Sequence, residues 1–556
     1  MACFSFTALC LLTLLSHGAH SGLTNDNLTA LFHAHQIREH GLGQLLRINW
    51  ARIPSLLPDY AIAATADQLG GRVEEKVRLS CLLQAGLGIG SVALLLRAGF
   101  GKRPSAWILP PLACYGSLLL SPGFRQLALM ATLPVNHGGN WITTSVFLAL
   151  ILQAPATGRR RPTGIQVAVG LLALLATFSN RLFLLTALLP LLLIRIAPFR
   201  LLRYRLQLSS PGSLGWSLAG GLAGCGLYLI VPHQCTDNLV GTTNPGALVA
   251  VMSAHQAAIL LLLTPCLIWI AYRVSLGRWR WSLEGEQARG LLLGDSLLLM
   301  VCGSALLYPW ISRGETDAIY LRYLLTPMLL APCLVCLAIQ RTWQHTGPSS
   351  VRWMRPTIVG AMVGGLALSG RNFASATEIS PRAENPADRA LLRAIPSLVR
   401  THCGGPDCVI LASNPPFHSL RLHLELAERG IHVLEVSGQG DPLVFWMGRS
   451  DFYEGQSFTP KDPSRGLRAS HLIAANAEQS RSLRASLGEP KQTIRLDDTG
   501  HVVLVYPDAR AIREKAAVFF ASQSQLPFCV PNRTRQALLR WRALLRPVMV
   551  GSLQAL

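Results

Sequence analysis

The sequence predicts a polytopic α-helical membrane protein of about eleven spanning helices with a soluble α/β domain toward its C-terminus. Three observations predict it. Half of the 556 residues are apolar and only 14% are charged, where a soluble chain carries about a quarter. The deficit is local: stretches such as 182–194 and 291–307 hold almost no charge, whereas 380–522 reads like an ordinary soluble protein. Basic residues, finally, collect at alternate ends of the apolar runs.

Apolar runs that approach the ~30 Å bilayer core lie near 2–16, 79–96, 105–121, 141–154, 164–179, 182–197, 213–231, 248–272, 290–310, 324–340 and 356–370. The first has no basic leader and no small-x-small cleavage site, so it reads as a retained helix rather than a signal peptide. Between it and the second run, the loop 17–78 is too long for a connector. Within that loop Asn25–His40 has the makings of one helix and 58–70 (PDYAIAATADQLG) of another, lying along the membrane surface.

Orientation follows from charge. One set of short loops carries Arg97, Lys102 and Arg103, then Arg159 to Arg161, then Arg195, Arg200, Arg203 and Arg205, then Arg273, Arg278 and Arg280, then Arg341, Arg352 and Arg355. The opposite short loops hold only Arg125, Arg181, Arg313 and Arg322. Positive-inside puts the first set and the N-terminus in the cytoplasm. Eleven crossings then leave residues after 370 outside, in the periplasm of a bacterium whose inner membrane holds the chain. The net charge of +21 belongs to these loops. No basic face with interleaved aromatics appears, which argues against nucleic acid.

The expected divisions are 1–372 for the membrane part, 373–530 for the α/β domain and 531–556 for a tail whose RTRQALLRWRALL segment is a basic amphipathic helix, suited to lipid or to solvent. In the soluble part, helical spacing over 386–402 precedes a strand at 408–412 (CVILA), an amphipathic helix over 417–429 and a strand at 431–436. A strand at 471–475, a helix over 478–487 ended by Gly488, and strands at 492–496 and 501–506 follow. Most of the 13 cysteines sit singly in apolar runs as small hydrophobes. Cys403 and Cys408 (CGGPDC) differ: they flank a Gly-Pro turn and would close a small disulfide loop in an oxidising compartment. A zinc site is the poorer reading, since no second pair lies nearby.

Several residues could carry chemistry. Asp26 (LTNDNL) reads either as a helix N-cap or as a carboxylate at the membrane–water boundary that accepts a proton from a hydroxyl. Asp59 (PSLLPDY) reads as a cap of the surface helix or as a second carboxylate of the same site; Asp67 reads as that helix's polar face. His137 lies in LPVNHGGNW, a helix-breaking turn that at membrane depth must be buried in protein or line a cavity. Asn180 and Arg181 (TFSNRLF) occupy a helix end, where Arg181 could clamp a phosphate or snorkel to the interface; Arg322 poses the same choice. Asp295, inside GLLLGDSLLLM, is an intramembrane carboxylate or one that reaches headgroup water. His255 reads as a hydrogen-bonded bundle histidine, and Trp446 to Tyr453 (WMGRSDFY) as core or as a sugar-stacking cluster.

Taken in order, these stretches resemble the C-type glycosyltransferase superfamily, which includes protein mannosyltransferases and aminoarabinose transferases. The matching segments are Asn25-Asp26-Asn27, 50–59 (WARIPSLLPD), His137-Gly138-Gly139, Ser179-Asn180-Arg181-Leu182-Phe183 and Arg322-Tyr323-Leu324-Leu325-Thr326-Pro327, with 446–453, 471–476 and 487–490 (LGEP) in the soluble part. The resemblance implies transfer of a sugar from a polyprenyl-phosphate lipid, with Asp26 as the base activating the acceptor and Arg181 and Arg322 as phosphate contacts beside His137, Asn180 and Tyr323. A divalent metal serves some members of the superfamily and not others. Asn180 departs from the pattern, where an aspartate is expected, and puts in doubt any role that needs a carboxylate there. Two other readings stand beside this one. A transporter or flippase would want polar residues distributed through several helices, and only Asp295 and His255 answer. A membrane scaffold with a binding domain outside needs no catalytic group.

Overall fold

The computed structural model describes residues 25–40, 55–100, 138–152, 163–196, 211–230, 246, 249, 256–275, 286–311, 323–343, 386–402, 409–413, 424–431, 433–437, 472–496 and 501–506. The apolar runs at 2–16, 105–121 and 356–370, the tail, and the Trp446 to Tyr453 cluster lie outside them.

The helices of the apolar part are α1 (Asn25–His40), α2 (Ala61–Gln68), α3 (Val73–Phe100), α4 (Gly138–Leu152), α5 (Thr163–Ser179), α6 (Leu189–Ile196), α7 (Pro211–Ile230), α8 (Gln256–Ser275), α9 (Glu286–Ile311) and α10 (Leu325–Trp343). A kinked turn, Leu56–Tyr60, leads into α2, and a wide turn, Leu184–Leu188, leads into α6. Within α3, Val73–Gly99 is long and apolar enough to cross a bilayer; the other apolar helical stretches among the described residues run 10–17 residues. Hydropathy alone missed the first turn of α3, because Glu74, Glu75 and Lys76 occupy it.

The side chains are distributed as in a protein whose solvent is lipid. On α8, Leu263, Leu267, Ile270 and Val274 point outward, 45–63% exposed, at the spacing of one helical face. The opposite face buries Leu262, Cys266, Trp269 and Tyr272 against α9 and α10, where Leu297, Met300, Tyr308, Met328 and Leu334 complete the core. In water such a stripe would be an aggregation site; against acyl chains it costs nothing. Asp295 is buried too. It accepts a hydrogen bond from Trp269 Nε1 (3.1 Å) and lies 3.4 Å from the Arg273 guanidinium, so it meets a protein partner rather than headgroup water.

Helices α5 and α7 meet along a seam of small residues: Gly170, Ala173 and Thr177 face Gly220 and Gly224. A Cβ on Gly220 would fall onto the Gly170 carbonyl, and one on Gly224 would lie 2.5 Å from the Leu174 carbonyl oxygen. Small residues let helix backbones approach this closely in a membrane. We expect Gly220→Val to part the pair and destabilise the protein by about 1–3 kcal/mol, read from thermal unfolding in detergent; an unchanged midpoint would mean the seam is not closed.

The polar part forms a five-stranded mixed sheet from β1 (Val409–Ser413), β2 (Val433–Ser437), β3 (Leu472–Ala475), β4 (Gln492–Arg495) and β5 (Val502–Val505), in the order β2-β1-β3-β5-β4. β1 runs parallel to both β2 and β3, while β5 runs antiparallel to β3 and β4. β3, in the middle, is buried along its whole length. The helices α11 (Pro386–His402) and α12 (Ala477–Leu487) accompany it. Leu391 and Ile395 of α11, with Leu426, pack on Leu472, Val503 and Val505. α12 starts on a reciprocal cap between Asn476 and Gln479 and stops at Gly488, whose φ is +92°, a conformation glycine adopts without strain.

Candidate functional site

Four of the short motifs, far apart in the chain, meet at one corner of the bundle. The first is the Leu56–Tyr60 turn. Ser55 enters it in the left-handed region (φ 50°) and Leu57 is extended, followed by a cis bond to Pro58. Ser179, the last residue of α5, holds the turn: its carbonyl accepts the Ser55 N–H (3.0 Å) and its hydroxyl accepts the Leu57 N–H (2.8 Å). Just beyond, the Asn180 side-chain oxygen accepts the Leu182 N–H (3.1 Å), shaping the step from α5 into the next helix.

The turn presents Asp59 to the start of α4. Asp59 is 3% exposed, and neither the turn nor α2 has a side-chain cap, so it does not cap the surface helix. A Cβ on Gly139 would lie 2.5 Å from Pro58 Cδ and 2.8 and 3.0 Å from the two Asp59 oxygens. Only glycine admits the carboxylate here. The first turn of a helix carries unpaired N–H groups and partial positive charge, which favours a carboxylate beside it. From α3, Gln84 Nε2 approaches Asp59 Oδ1 at 3.4 Å.

One residue further into α4, Asn140 binds the remaining motif, at the start of α10, and the turn before α6. Its amide nitrogen donates to Thr326 Oγ1 (2.8 Å) and to Thr186 Oγ1 (3.2 Å). Thr186 also contacts the Thr144 hydroxyl (3.2 Å) and donates to the Leu182 carbonyl. All four side chains are buried, and each hydroxyl that found no partner would cost about 1–3 kcal/mol. This polar knot joins α4, the turn before α6 and the start of α10. Gln84, Thr144 and Thr186 belong to none of the quoted motifs, and sequence reasoning passed over them; Asn140 lies beside His137-Gly138-Gly139 and Thr326 within the Arg322 to Pro327 stretch, but neither was singled out.

The sequence-derived candidates fall as follows. Asp26 lies in the first turn of α1, which packs on the turn through His33 and Tyr60, ring centroids 5.3 Å apart, and through Ala30 and Ala34. Arg181 is exposed and stacks its guanidinium on the Tyr228 ring, 4.3 Å from the centroid. Tyr323 is half-buried against the α8–α10 core. His137, Arg322, Cys403, Cys408 and His255 lie outside the described residues. The structure therefore brings Asp59, the Gly138-Gly139 turn, Asn180 and the start of α10 together.

Asp67 differs most from its reading as a polar face. It is 1% exposed. Arg38 Nη1 lies 2.9 Å from its Oδ2 and also donates to its backbone carbonyl, while Lys76 Nζ lies 3.1 Å from Oδ1. Lys76, itself buried, reaches Glu428 as well (2.9 Å). Two carboxylates and two cations thus balance. His35 Nδ1 contacts Arg38 Nη2 at 2.9 Å; a guanidinium can only donate, so Nδ1 is the acceptor. Among the described residues no three His, Cys, Asp or Glu side chains gather as a metal site.

His33 is buried, and burial pulls its pKa down to about 3. It is neutral at pH 7. The unfolded chain takes up a proton below about pH 6.5, whereas folded His33 does so only near its depressed value. Its contribution to stability is therefore full above pH 6.5 and declines as the pH falls toward 3, by up to about 1.4 kcal/mol per pH unit. We expect acidification from pH 7 to 5 to lower the unfolding midpoint, and less so in His33→Gln; equal acid sensitivity of the two proteins would refute the assignment.

No family model matches the chain, and no curated protein matches it. Solved structures do. The crystal structure of ArnT from Cupriavidus metallidurans in the apo state superposes with a TM-score of 0.54 at 14% identity, covering 91% of this chain and 99% of that one. The crystal structure of the same protein bound to undecaprenyl phosphate gives 0.50 at 13% identity, covering 91% and 98%. In sequence the two share little; in architecture this chain has the fold of ArnT.

Proposed function

We propose that the protein is a membrane glycosyltransferase that moves a sugar from a polyprenyl-phosphate carrier to an acceptor on the periplasmic face of a bacterial inner membrane. The observation that carries this reading is the polar corner, where the Leu56–Tyr60 turn is hydrogen-bonded to the end of α5, the start of α4 is hydrogen-bonded to the start of α10, and Asp59 packs against Gly139 between them. The fold supports it. ArnT has been crystallised with undecaprenyl phosphate, and a lipid-carrier donor suits this chain equally.

In the reaction, the acceptor hydroxyl attacks the anomeric carbon, the bond from that carbon to the phosphate oxygen breaks, and the hydroxyl proton passes to the Asp26 carboxylate. The carrier leaves as polyprenyl phosphate, its charge stabilised by Arg181 and Arg322. Stacking on Tyr228 uses the face of the Arg181 guanidinium and leaves its in-plane N–H donors for phosphate. Asp59 packs against Gly139 at the start of α4; Asn180, whose side-chain oxygen accepts the Leu182 N–H, needs no charge for that role. Positive-inside loops orient the chain with the 373–530 domain outside, where Cys403 and Cys408 would pair. Purified protein supplied with polyprenyl-phosphate sugars should release sugar-free carrier, by transfer or by slow hydrolysis. Absence of turnover across a panel of such donors, or labelling that finds residues 386–506 in the cytosol, would overturn the proposal.

A further inference from the structure

The polar unit holds an open cleft of about 550 Å³ between α11 and residues 424–429. Arg389, Arg393, Arg400 and Arg429 line it, with Ser397 beside them and Glu425 as the single carboxylate among the lining residues. Among the described lining residues four guanidinium groups thus stand around one opening with one carboxylate.

The arginines are also positioned. Pro396 sits inside α11 and has no N–H to donate to the Leu392 carbonyl one turn back. Arg429 Nη1 takes that place, donating to the orphaned oxygen at 3.0 Å. Arg400 Nε likewise donates to the Pro396 carbonyl at 3.2 Å. Each such bond uses one of five guanidinium donors and fixes the group at the cleft wall. A proline inside the helix thus leaves a carbonyl that pins Arg429, while Arg400 is held by the proline's own carbonyl.

Location supplies the second argument. Glu428, next to Arg429 in the chain, pairs with buried Lys76, and Lys76 belongs to the first turns of the membrane-length segment Val73–Gly99. The cleft is therefore tethered to one end of a helix long enough to span a bilayer.

We propose that this cleft is an anion site for a phosphate-bearing ligand at the membrane surface: a phosphodiester headgroup or a soluble phosphate. Planar guanidinium groups bind phosphate oxygens bidentately, and four of them around one opening suit a group with several such oxygens. This is independent of the sugar-transfer reading and would stand if that reading fell.

The test uses the full-length protein in detergent with two probes. Inorganic pyrophosphate is titrated calorimetrically, and short-chain phosphatidylglycerol is compared with phosphatidylcholine by native mass spectrometry. Arg393→Gln combined with Arg400→Gln should weaken binding about ten-fold, whereas Arg481→Gln, on α12, should not. Retention of phosphatidylglycerol alone identifies a lipid headgroup; pyrophosphate binding identifies a soluble phosphate. If neither probe binds, or if the double variant binds as the unchanged protein does, the proposal fails. Both substituted side chains are exposed, so matching unfolding midpoints confirm intact proteins.

Discussion

Asp26→Asn is expected to reduce sugar transfer by about 100- to 10,000-fold, the usual contribution of a positioned general base, while leaving the unfolding midpoint unchanged. The substitution separates two readings of one residue. Asp26 lies inside the first turn of α1 rather than at its cap, so the isosteric asparagine forfeits only a small helix-dipole interaction together with the proton acceptor. Binding of the carrier lipid should persist, because the arginines assigned to the phosphate are untouched; kcat falls and KM does not. Full transfer activity in Asp26→Asn would leave Asp26 as a first-turn acid of α1 and return the catalytic assignment to Asp59.

Asp67→Ala should cost about 3–5 kcal/mol of stability, the range for removing one partner from a buried ion pair. The loss has little to do with the deleted carboxylate itself. It comes from Lys76, whose side chain is 3% exposed and would keep only Glu428, and from Arg38, which would keep the residue-67 carbonyl. Adding Lys76→Met removes the stranded charge, so the double variant should be more stable than the sum of the two single losses. Thermal unfolding of the four proteins in detergent measures this coupling; strict additivity would show that Asp67 and Lys76 do not interact.

The helices were legible because lipid imposes a simple rule on sequence. Apolar runs near 141–154, 164–179, 213–231, 290–310 and 324–340 correspond to α4, α5, α7, α9 and α10 within a few residues. The sheet was legible strand by strand, since Gly430 and Gly488 mark helix ends and alternation marks the strands between them, but its order was not. Nothing in 471–475 announces that β3 lies between β1 and β5. For the site, the motif stretches were visible and the residues that join them were not. Asn140 has partners 46 and 186 residues away, and a lone asparagine in an apolar run has no periodicity to betray it. Asp67 was misread for the same reason. Local spacing puts it on a helix face, while its burial depends on Arg38, Lys76 and Glu428, which come from elsewhere in the chain.

The clasp of Ser179 on the Leu56–Tyr60 turn sets a timetable for biosynthesis. Leu57 and the serine hydroxyl that holds it are 122 residues apart, so at ribosomal speed roughly 6–25 s elapse between their synthesis. Asn140 waits longer still, since Thr326 follows it by 186 residues. The corner is therefore assembled only after the last of these segments has entered the membrane, and a nascent chain halted before α10 would carry the acidic turn but not its mould.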